Sequence, residues 1–221
     1  MSLKPTSTSY ALLGLLSVRS WSAYDLAQQM SRSLGYCWQV APSVVYHEPK
    51  RLVAMGYATV TRQQTGRRSR AVYQITSDGR EALRKWLATP PAAPQMQVEP
   101  MLRVMFADSG TPEELAASLR ELRAWAEGLL AVGARQCADY LATGGPFPVR
   151  LDLIALFGEF FGQIYALTSD WARRAEEDVA QWPTTAGSGH TPHTRARLQV
   201  VIDDACRLGL LDGDEQAARS G

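Results

Sequence analysis

The chain has 221 residues, 46% of them hydrophobic, which is enough to bury a sizeable core and fits one large or two modest domains. Its formal net charge of +1 conceals two unlike parts, because residues 1–90 carry 12 basic and 4 acidic side chains whereas residues 91–221 carry 11 and 18. A basic module joined to an acidic one suggests that the first meets a polyanion while the second serves assembly or sensing. We therefore expect two domains.

The cysteines and the apolar stretches narrow the class of protein. Cys37, Cys137 and Cys206 are odd in number and widely spaced, which fits neither a disulfide framework nor a zinc cluster and indicates ordinary core thiols in a reducing cytoplasm. The most apolar stretch, residues 151–167, is interrupted by polar side chains and falls short of the roughly 18 uncharged residues expected of a membrane span. We expect a cytoplasmic protein with no membrane partner.

Two helices are predicted at the start of the chain. The first is core, with leucines through residues 10–16, cap candidates at Thr6-Ser7-Thr8 and an end near Arg19-Ser20. The second begins at Ser22, which has an acid three residues on. Its apolar residues recur at helical spacing until Gly35 ends it.

A third helix follows the turn Ala41-Pro42-Ser43, where we expect the cap. Its apolar side is predicted to run through Val45, Pro49, Leu52 and Val53, and its opposite side through Ser43, His47, Lys50 and Ala54. Lys50 and Arg51 can neutralise phosphates or reach guanine, and short or flat donors suit the DNA backbone or base edges; these are Ser43, Tyr46 and His47. Such a face can also be merely solvated.

Residues 57–75 read as two short β-type runs joined by a loop that carries Arg67, Arg68 and Arg70. A helix followed by a cationic β-ribbon is how many small regulators bind DNA, with the helix in the major groove and the ribbon on phosphates. Thr76-Ser77-Asp78-Gly79 then opens a fourth helix, and a proline cluster at residues 90–94 closes the domain.

These blocks resemble the PadR family of bacterial transcriptional regulators over residues 8–90. The segments are Y-A-L-L-G-L-L at 10–16, S-A-Y-D-L-A at 22–27, S-V-V-Y-H-E-P-K-R-L-V-A-M-G-Y at 43–57 and G-R-R-S-R-A-V-Y-Q-I-T-S-D-G-R-E-A-L-R-K-W-L at 66–87. The resemblance implies that DNA is contacted at Tyr24, Ser43, Tyr46, Lys50, Arg67, Arg68 and Arg70. Where the family usually has an aliphatic residue this chain has Pro49, so we expect a kink or a 3₁₀ start around residues 45–48.

The second part of the chain reads as long helices. Thr111-Pro112-Glu113-Glu114 marks a helix start, from which a seam runs to Gly133 at alternating spacings of 4 and 3. The next helix, residues 149–182, has an apolar stripe, residues off it, and the pair Gly158 and Gly162 for close backbone approach. We expect a homodimer interface at Leu115, Leu119, Leu122, Leu129, Phe157, Phe160, Ile164 and Trp171; the alternative is packing within the subunit. The layout resembles the helical dimerisation domain of the longer PadR-type proteins.

The predicted boundaries are a winged-helix domain at residues 1–90, a linker at 91–110, a helical dimerisation domain at 111–182, and a linker with one more helix at 183–221. That last helix spans residues 195–211, and residues 212–221 are expected to fray.

The family resemblance also implies a small aromatic or drug-like effector, for which Trp125, Phe161 and Tyr165 are the candidate binding residues. Aromatic residues at helical spacing can equally be core. The sequence has no G-x-S-x-G, phosphate-binding or dinucleotide-binding motif, so we expect neither an enzyme nor a cofactor. His190 and His193 lack further ligands nearby, so no metal site is expected.

Together these features predict a mainly α protein with a winged helix-turn-helix and a helical dimerisation domain. The expected function is a sequence-specific transcriptional regulator, an effector-responsive repressor that binds a near-palindromic operator as a homodimer. The alternative is a winged-helix adaptor that binds proteins instead of DNA. The net charge of +8 on residues 1–90 favours DNA, and steep salt dependence of duplex binding would separate the two.

Overall fold

The computed structural model describes residues 4–65, 68–187 and 191–211, with the side chains of residues 65, 68 and 69 excepted. The fold is mainly α, as predicted, and the chain divides into two compact units, Met1–Gln95 and Met96–Gly221. Arg67, with its predicted DNA contact, His190 and the predicted fraying of residues 212–221 lie outside the described residues.

The first unit opens with two capped helices. Helix α1, Ser7–Val18, begins at Thr6, whose hydroxyl accepts the amide of Ser9 at 3.3 Å while the Ser9 hydroxyl accepts the amide of Thr6 at 2.8 Å. Helix α2, Ala23–Gln29, begins after Ser22, whose hydroxyl accepts the amide of Asp25 at 3.1 Å. Both starts are confirmed, and α2 runs on through a π-helical stretch, residues 30–34, before Gly35.

A three-stranded antiparallel sheet follows the order β1-β3-β2. Strand β1 is Trp21–Ser22, β2 is Ala58–Thr65 and β3 is Arg68–Ile75. The β2–β3 hairpin was predicted; β1 was not, because two residues are too few for any hydrophobic alternation to be seen. β1 pairs with the base of β3, so the ribbon is fixed to the helices at that end.

Helices α3, Pro42–Ala54, and α4, Ser77–Leu87, complete the first unit. The predicted start of α4 is confirmed, since the hydroxyl of Thr76 accepts the amide of Gly79 at 3.0 Å. A Cβ on Gly79 would lie 2.1 Å from the carbonyl oxygen of Tyr57, so only glycine lets the helix start this close to the strand. The helices enclose a closed core of fully buried leucines: Leu12, Leu13, Leu16, Leu26 and Leu52.

The second unit begins with a helix where a linker was expected. Helix α5, Glu99–Met105, and a 3₁₀ turn, Ala107–Ser109, lie within the predicted linker at residues 91–110. Val104 and Ala107 pack on the core of this unit, which explains why the segment is ordered as a helix. This helix was not predicted because seven residues are too few for a helical period to stand out in the sequence.

Two long helices form the body of the second unit. Helix α6, Pro112–Thr143, starts at Thr111 with the reciprocal Thr111–Glu114 cap and ends at Gly144, whose φ of 76° is left-handed. A 3₁₀ turn, Pro148–Arg150, leads into α7, Leu151–Val179. Their shared core is made of Leu115, Ala116, Leu119, Ala175 and Val179, with Trp171 packed against it.

Helix α8, Pro192–Arg207, starts three residues before the predicted position, with Thr191 as its cap. It is joined to the end of α7 by an ion pair between Arg197 and Asp178 and by His193, 3.6 Å from the same carboxylate. No residue of α8 itself is buried within the described chain. The three cysteines are not core thiols as expected, since Cys37 and Cys137 are exposed and Cys206 is half-buried.

The α7 region is more apolar than the sequence analysis allowed. The stretch Pro148–Val179 is long and apolar enough, by length and composition, to cross a membrane, with a mean hydropathy of 1.3 over its most apolar 18-residue window. Only 6% of that window is buried. A single helix of this kind is weak support for a span, but so much exposed apolar surface needs a partner, either lipid or protein.

Candidate nucleic-acid interface

The outward face of α3 has the composition expected of a reading face. Val45, Pro49 and Leu52 are buried on its inner side, as predicted. The polar residues predicted to face outward are all exposed: Ser43, Tyr46, His47 and Lys50. The helix begins at Pro42 and its cap residue is Ala41, within the predicted turn, but no side chain makes a capping hydrogen bond there.

Pro49 is fully buried inside α3, and the helix is α-helical from Pro42 to Ala54. The expected 3₁₀ start is therefore wrong, and the alternative expectation, a kink at Pro49, stays a prediction. A proline at this position removes one backbone donor, the one that would reach Val45, and leaves the hydrogen bonds on either side intact. The outward residues thus keep the regular spacing that a groove-reading helix needs.

Glu48 is a buried carboxylate that the sequence analysis missed. It is only 2% exposed and lies on the inner side of α3. It accepts a hydrogen bond from the hydroxyl of Ser9 on α1 and pairs with Arg51 at 2.7 Å. Both carboxylate oxygens are therefore satisfied, which a buried charge requires. Position 48 shares its helix side with Val45 and Leu52, a spacing that could have revealed it.

Arg51 is the ion-pair partner of the buried Glu48. Besides Glu48, its guanidinium donates to the backbone carbonyl of Lys4 at 3.2 Å, so it ties the start of the chain to α3. Its side chain is 36% exposed. These contacts fix α3 to the start of the chain, and a DNA contact by the exposed part of Arg51 stays a prediction.

The basic hairpin is regular, with residues paired from Ala58↔Ile75 to Thr65↔Arg68. Between the strands, Arg67 lies outside the described residues, and only the backbone of Arg68 is described. Arg62, opposite Ala71 on β2, is a further exposed arginine of the hairpin that the sequence analysis did not single out. The hairpin thus has more positive charge than the loop alone.

Arg70 has partners inside the chain. Its guanidinium donates to the hydroxyl of Ser22 at 2.9 Å and pairs with the carboxylate of Asp25 at the start of α2. Next to Asp25, the ring of Tyr24 is 57% exposed, and its hydroxyl accepts a hydrogen bond from Gln28 at 2.6 Å. The structure therefore brings the ribbon and Tyr24 to the same end of α2.

The candidate effector residues of the second unit do lie together. Trp125 meets Tyr165 edge-on with ring centroids 5.5 Å apart, and Phe161 lies 6.2 Å from Tyr165. Tyr165 is buried, Phe161 is half-buried and Trp125 is half exposed. A separate open cavity of about 520 Å³ lies between α5 and the start of α6, lined by Leu102 and Phe106 among others. The aromatic cluster and this cavity are different places.

The residues assigned to the dimer interface divide into two sets. Leu115, Leu119 and Leu122 are at most 5% exposed within the single chain, so they have no surface left for a partner and are core residues of the subunit. This corrects their assignment. Leu129, Phe157, Ile164 and Trp171 are half-buried between the helices.

A different stripe of α7 is unpartnered. Its large apolar residues recur at the spacing of a coiled-coil seam and are 59–69% exposed: Leu153, Leu156, Phe160 and Leu167. Of the predicted interface residues, only Phe160 belongs to this stripe. The predicted interface combined two neighbouring faces of α7, because both are apolar and only packing against α6 separates them.

Comparison with known proteins agrees with this description. The model of the transcriptional regulator PadR-like family matches residues 12–85. The negative transcriptional regulator PadR of Bacillus subtilis is 32% identical over 99 residues, which cover 44% of this chain and 54% of that protein. The chain thus matches only about half the length of this curated relative.

Solved structures extend the likeness to both units. The crystal structure of Bacillus subtilis PadR in complex with operator DNA has a TM-score of 0.68 and 21% identity, covering 79% of this chain and 99% of that one. The virulence activator AphA of Vibrio cholerae has a TM-score of 0.62 and 25% identity, covering 79% and 98%. The fold is therefore that of a winged helix with long C-terminal helices.

The family is one of regulators and not of enzymes, and its model matches the region that contains α3 and the basic hairpin. Among the described residues no group of three or more metal-binding side chains occurs. Over residues 12–85 the chain matches the PadR-like family of transcriptional regulators, and in both units it shares the fold of Bacillus subtilis PadR, with long C-terminal helices.

Proposed function

We propose that this protein is a homodimeric, sequence-specific DNA-binding repressor that acts inside the cell on a near-palindromic operator and responds to a small aromatic effector. The observation that carries the proposal is the exposed polar face of α3 beside a basic hairpin, in a unit with 12 basic and 4 acidic residues. A protein-binding adaptor has no physical need of this charge.

The DNA contacts follow from the geometry of the first unit. α3 presents Lys50 and His47 at regular helical spacing, which suits base edges in the major groove. Arg67 and Arg68 follow β2 in the sequence, and as cations of the loop and the start of β3 they suit contact with phosphates. The relative Bacillus subtilis PadR, which has the same fold, has been crystallised with operator DNA.

The homodimer is proposed from the exposed stripe of α7. A second copy of the chain covers this stripe more readily than lipid does, because Asp152 and Glu159 are exposed on the same helix and a charged group in the hydrocarbon core is costly. Two copies also supply two α3 helices, which is the arrangement that reads a near-palindromic site.

Repression and effector binding are proposed from relatives together with the aromatic cluster. The matched Bacillus subtilis protein is a negative regulator, and a structure of it exists in complex with p-coumaric acid. The aromatic rings of Trp125, Phe161 and Tyr165 lie together and suit stacking with a ligand of that class. Equilibrium dialysis with p-coumaric acid, with a Trp125→Ala variant as the comparison, tests this part.

The central experiment is duplex binding. DNA fragments that co-purify with the protein are sequenced, and the enriched site is compared with random duplex over a range of salt concentrations. We expect tighter binding to the enriched site, steep salt dependence, and a loss of preference in Lys50→Ala but not in Lys85→Ala, an exposed lysine on α4. Absence of duplex binding at low salt would reject the proposal in favour of an adaptor.

A further inference from the structure

Arg70 lies just beyond the part of the hairpin that is paired with a third strand. β1 pairs with β3 at Tyr73 and Val72 only, so the ribbon is three-stranded at its base and two-stranded beyond it. Arg70 lies two residues further toward the tip. Its side chain reaches back to Ser22 and Asp25 at the start of α2, the first of which is buried.

An isolated two-stranded ribbon is only marginally stable in water. The outer half of this hairpin, from Arg62↔Ala71 to Thr65↔Arg68, has no third strand in the described chain, so its direction depends on whatever ties it to the helices. The contact of Arg70 with Asp25 is such a tie. An exposed ion pair contributes little to stability, about 0–1 kcal/mol, but it can select one orientation of a flexible element.

Arg70 also neutralises the negative charge of Asp25. Asp25 adjoins the exposed Tyr24, and an unpaired carboxylate there would repel a DNA phosphate. With Arg70 beside it the charge of Asp25 is neutralised locally. If the guanidinium of Arg70 moved from Asp25 to a DNA phosphate, the carboxylate of Asp25 would be left unpaired. Its repulsion of the DNA would offset most of the attraction gained by the new contact.

We propose that Arg70 is a positioning residue, which holds the hairpin against the start of α2 and masks Asp25, and not a phosphate ligand as its place in the sequence suggests. This proposal rests on the proposed DNA binding for its effect on affinity. Its structural half, the tie between hairpin and helix, holds for the free protein.

The free protein provides the first test. Amide hydrogen exchange of residues 61–65 and 68–71 is measured by NMR for the full-length wild type, Arg70→Ala and Asp25→Asn. We expect exchange about threefold to tenfold faster in both variants, because each breaks the same tie. The matched control is Arg62→Ala, which removes one charge from the same hairpin and makes no ion pair in the described chain. Unchanged exchange in Arg70→Ala and Asp25→Asn overturns the proposal, whether or not the protein binds DNA.

The second test is a double-mutant cycle on operator affinity. We expect Arg70→Ala and Asp25→Asn each to weaken binding about threefold to tenfold, and the double variant to be no weaker than either single one. A phosphate ligand gives a different pattern: weaker binding in Arg70→Ala, but unchanged or tighter binding in Asp25→Asn. That pattern would refute the positioning role while leaving the proposed function in place.

Discussion

The two units of this protein differ in whether a single chain completes them. The N-terminal unit closes its own core, with five leucines at no more than 1% exposure, and has its basic charge on the surface. The C-terminal unit buries the first half of α6 against the second half of α7 but leaves a stripe of large apolar side chains in solvent. A single chain therefore completes the core of the first unit, whereas the second unit keeps uncovered apolar surface.

This difference indicates a division of labour. A unit that is stable alone can present α3 and the hairpin in fixed geometry, since none of that geometry depends on a partner. A unit with an exposed apolar stripe gains stability by association, and in the proposed homodimer it would link two copies of the first unit. The opposite net charges of the two parts agree with this, because only the first has to meet a polyanion.

The largest effect should come from separating the units. A fragment of residues 1–95 should fold with native-like circular dichroism, remain monomeric in sedimentation, and bind the operator about 10²-fold more weakly than the full chain. The physical reason is that the dimer makes its second half-site contact intramolecularly. A fragment that matches the affinity of the intact protein, or a full chain that sediments as a monomer, would contradict the division of labour.

A substitution on α7 tests the same point without deleting anything. Phe160→Glu places a charge in the exposed stripe and should weaken dimerisation by about 2–4 kcal/mol while leaving the monomer folded, because Phe160 is 59% exposed. The matched control is Leu141→Glu, on α6, where the leucine is 88% exposed and does not belong to the stripe. Analytical ultracentrifugation of both variants decides the matter; equal dissociation constants would place the interface elsewhere.

The same contrast governs what sequence could predict. In the first unit, short signals determined the elements: Ser22 with Asp25 and Thr76 with Gly79 mark helix starts by local hydrogen bonds, and the structure has them where expected. These signals act within three or four residues of chain, so no tertiary knowledge is needed. The inner face of α3 could also be predicted from the sequence. The exception is Glu48, because its partner Ser9 is 39 residues away.

In the second unit the helices were predictable but the use of their faces was not. Leu119 and Phe160 both fall on apolar stripes, yet one is core and the other is exposed, because only the packing of α6 on α7 decides between them. Arg70 is a similar case. Its charge predicted a contact with a DNA phosphate, but in the structure it forms an ion pair with Asp25. Long-range pairing was in each case the missing information.

A smaller effect is expected on the reading face. Lys50→Ala should weaken binding to the operator by about 1–3 kcal/mol and binding to random duplex by much less, if Lys50 reads a guanine. Fluorescence anisotropy on both duplexes measures the difference, with Lys85→Ala as the control. Equal losses on the two duplexes would make Lys50 a phosphate contact and would remove the base-reading role from this part of α3.

The smallest sequence-dependent effect should come from the tip of the hairpin. Replacing Arg67 and Arg68 with alanine should weaken binding to operator and random duplex by the same factor, because phosphates are the same in both. The slope of log affinity against log salt concentration should become shallower by up to about 2, since each lost contact releases roughly one counterion fewer.

A double Arg84→Ala and Lys85→Ala variant controls for the loss of two charges from the same unit. Both side chains lie on α4 beside Glu81, and the hydrogen bond from Arg84, helped by the charges of Arg84 and Lys85, lowers the pKa of Glu81 to about 2. That carboxylate is therefore ionised at any pH used for binding, and removing its partners alters the net charge as much as the hairpin variant does. A slope that changes equally in both variants would mean that the total charge of the unit, and not contact at the hairpin tip, sets the salt dependence. A slope that changes only in the hairpin variant would place phosphate contacts at Arg67 and Arg68, on the unit that a single chain completes.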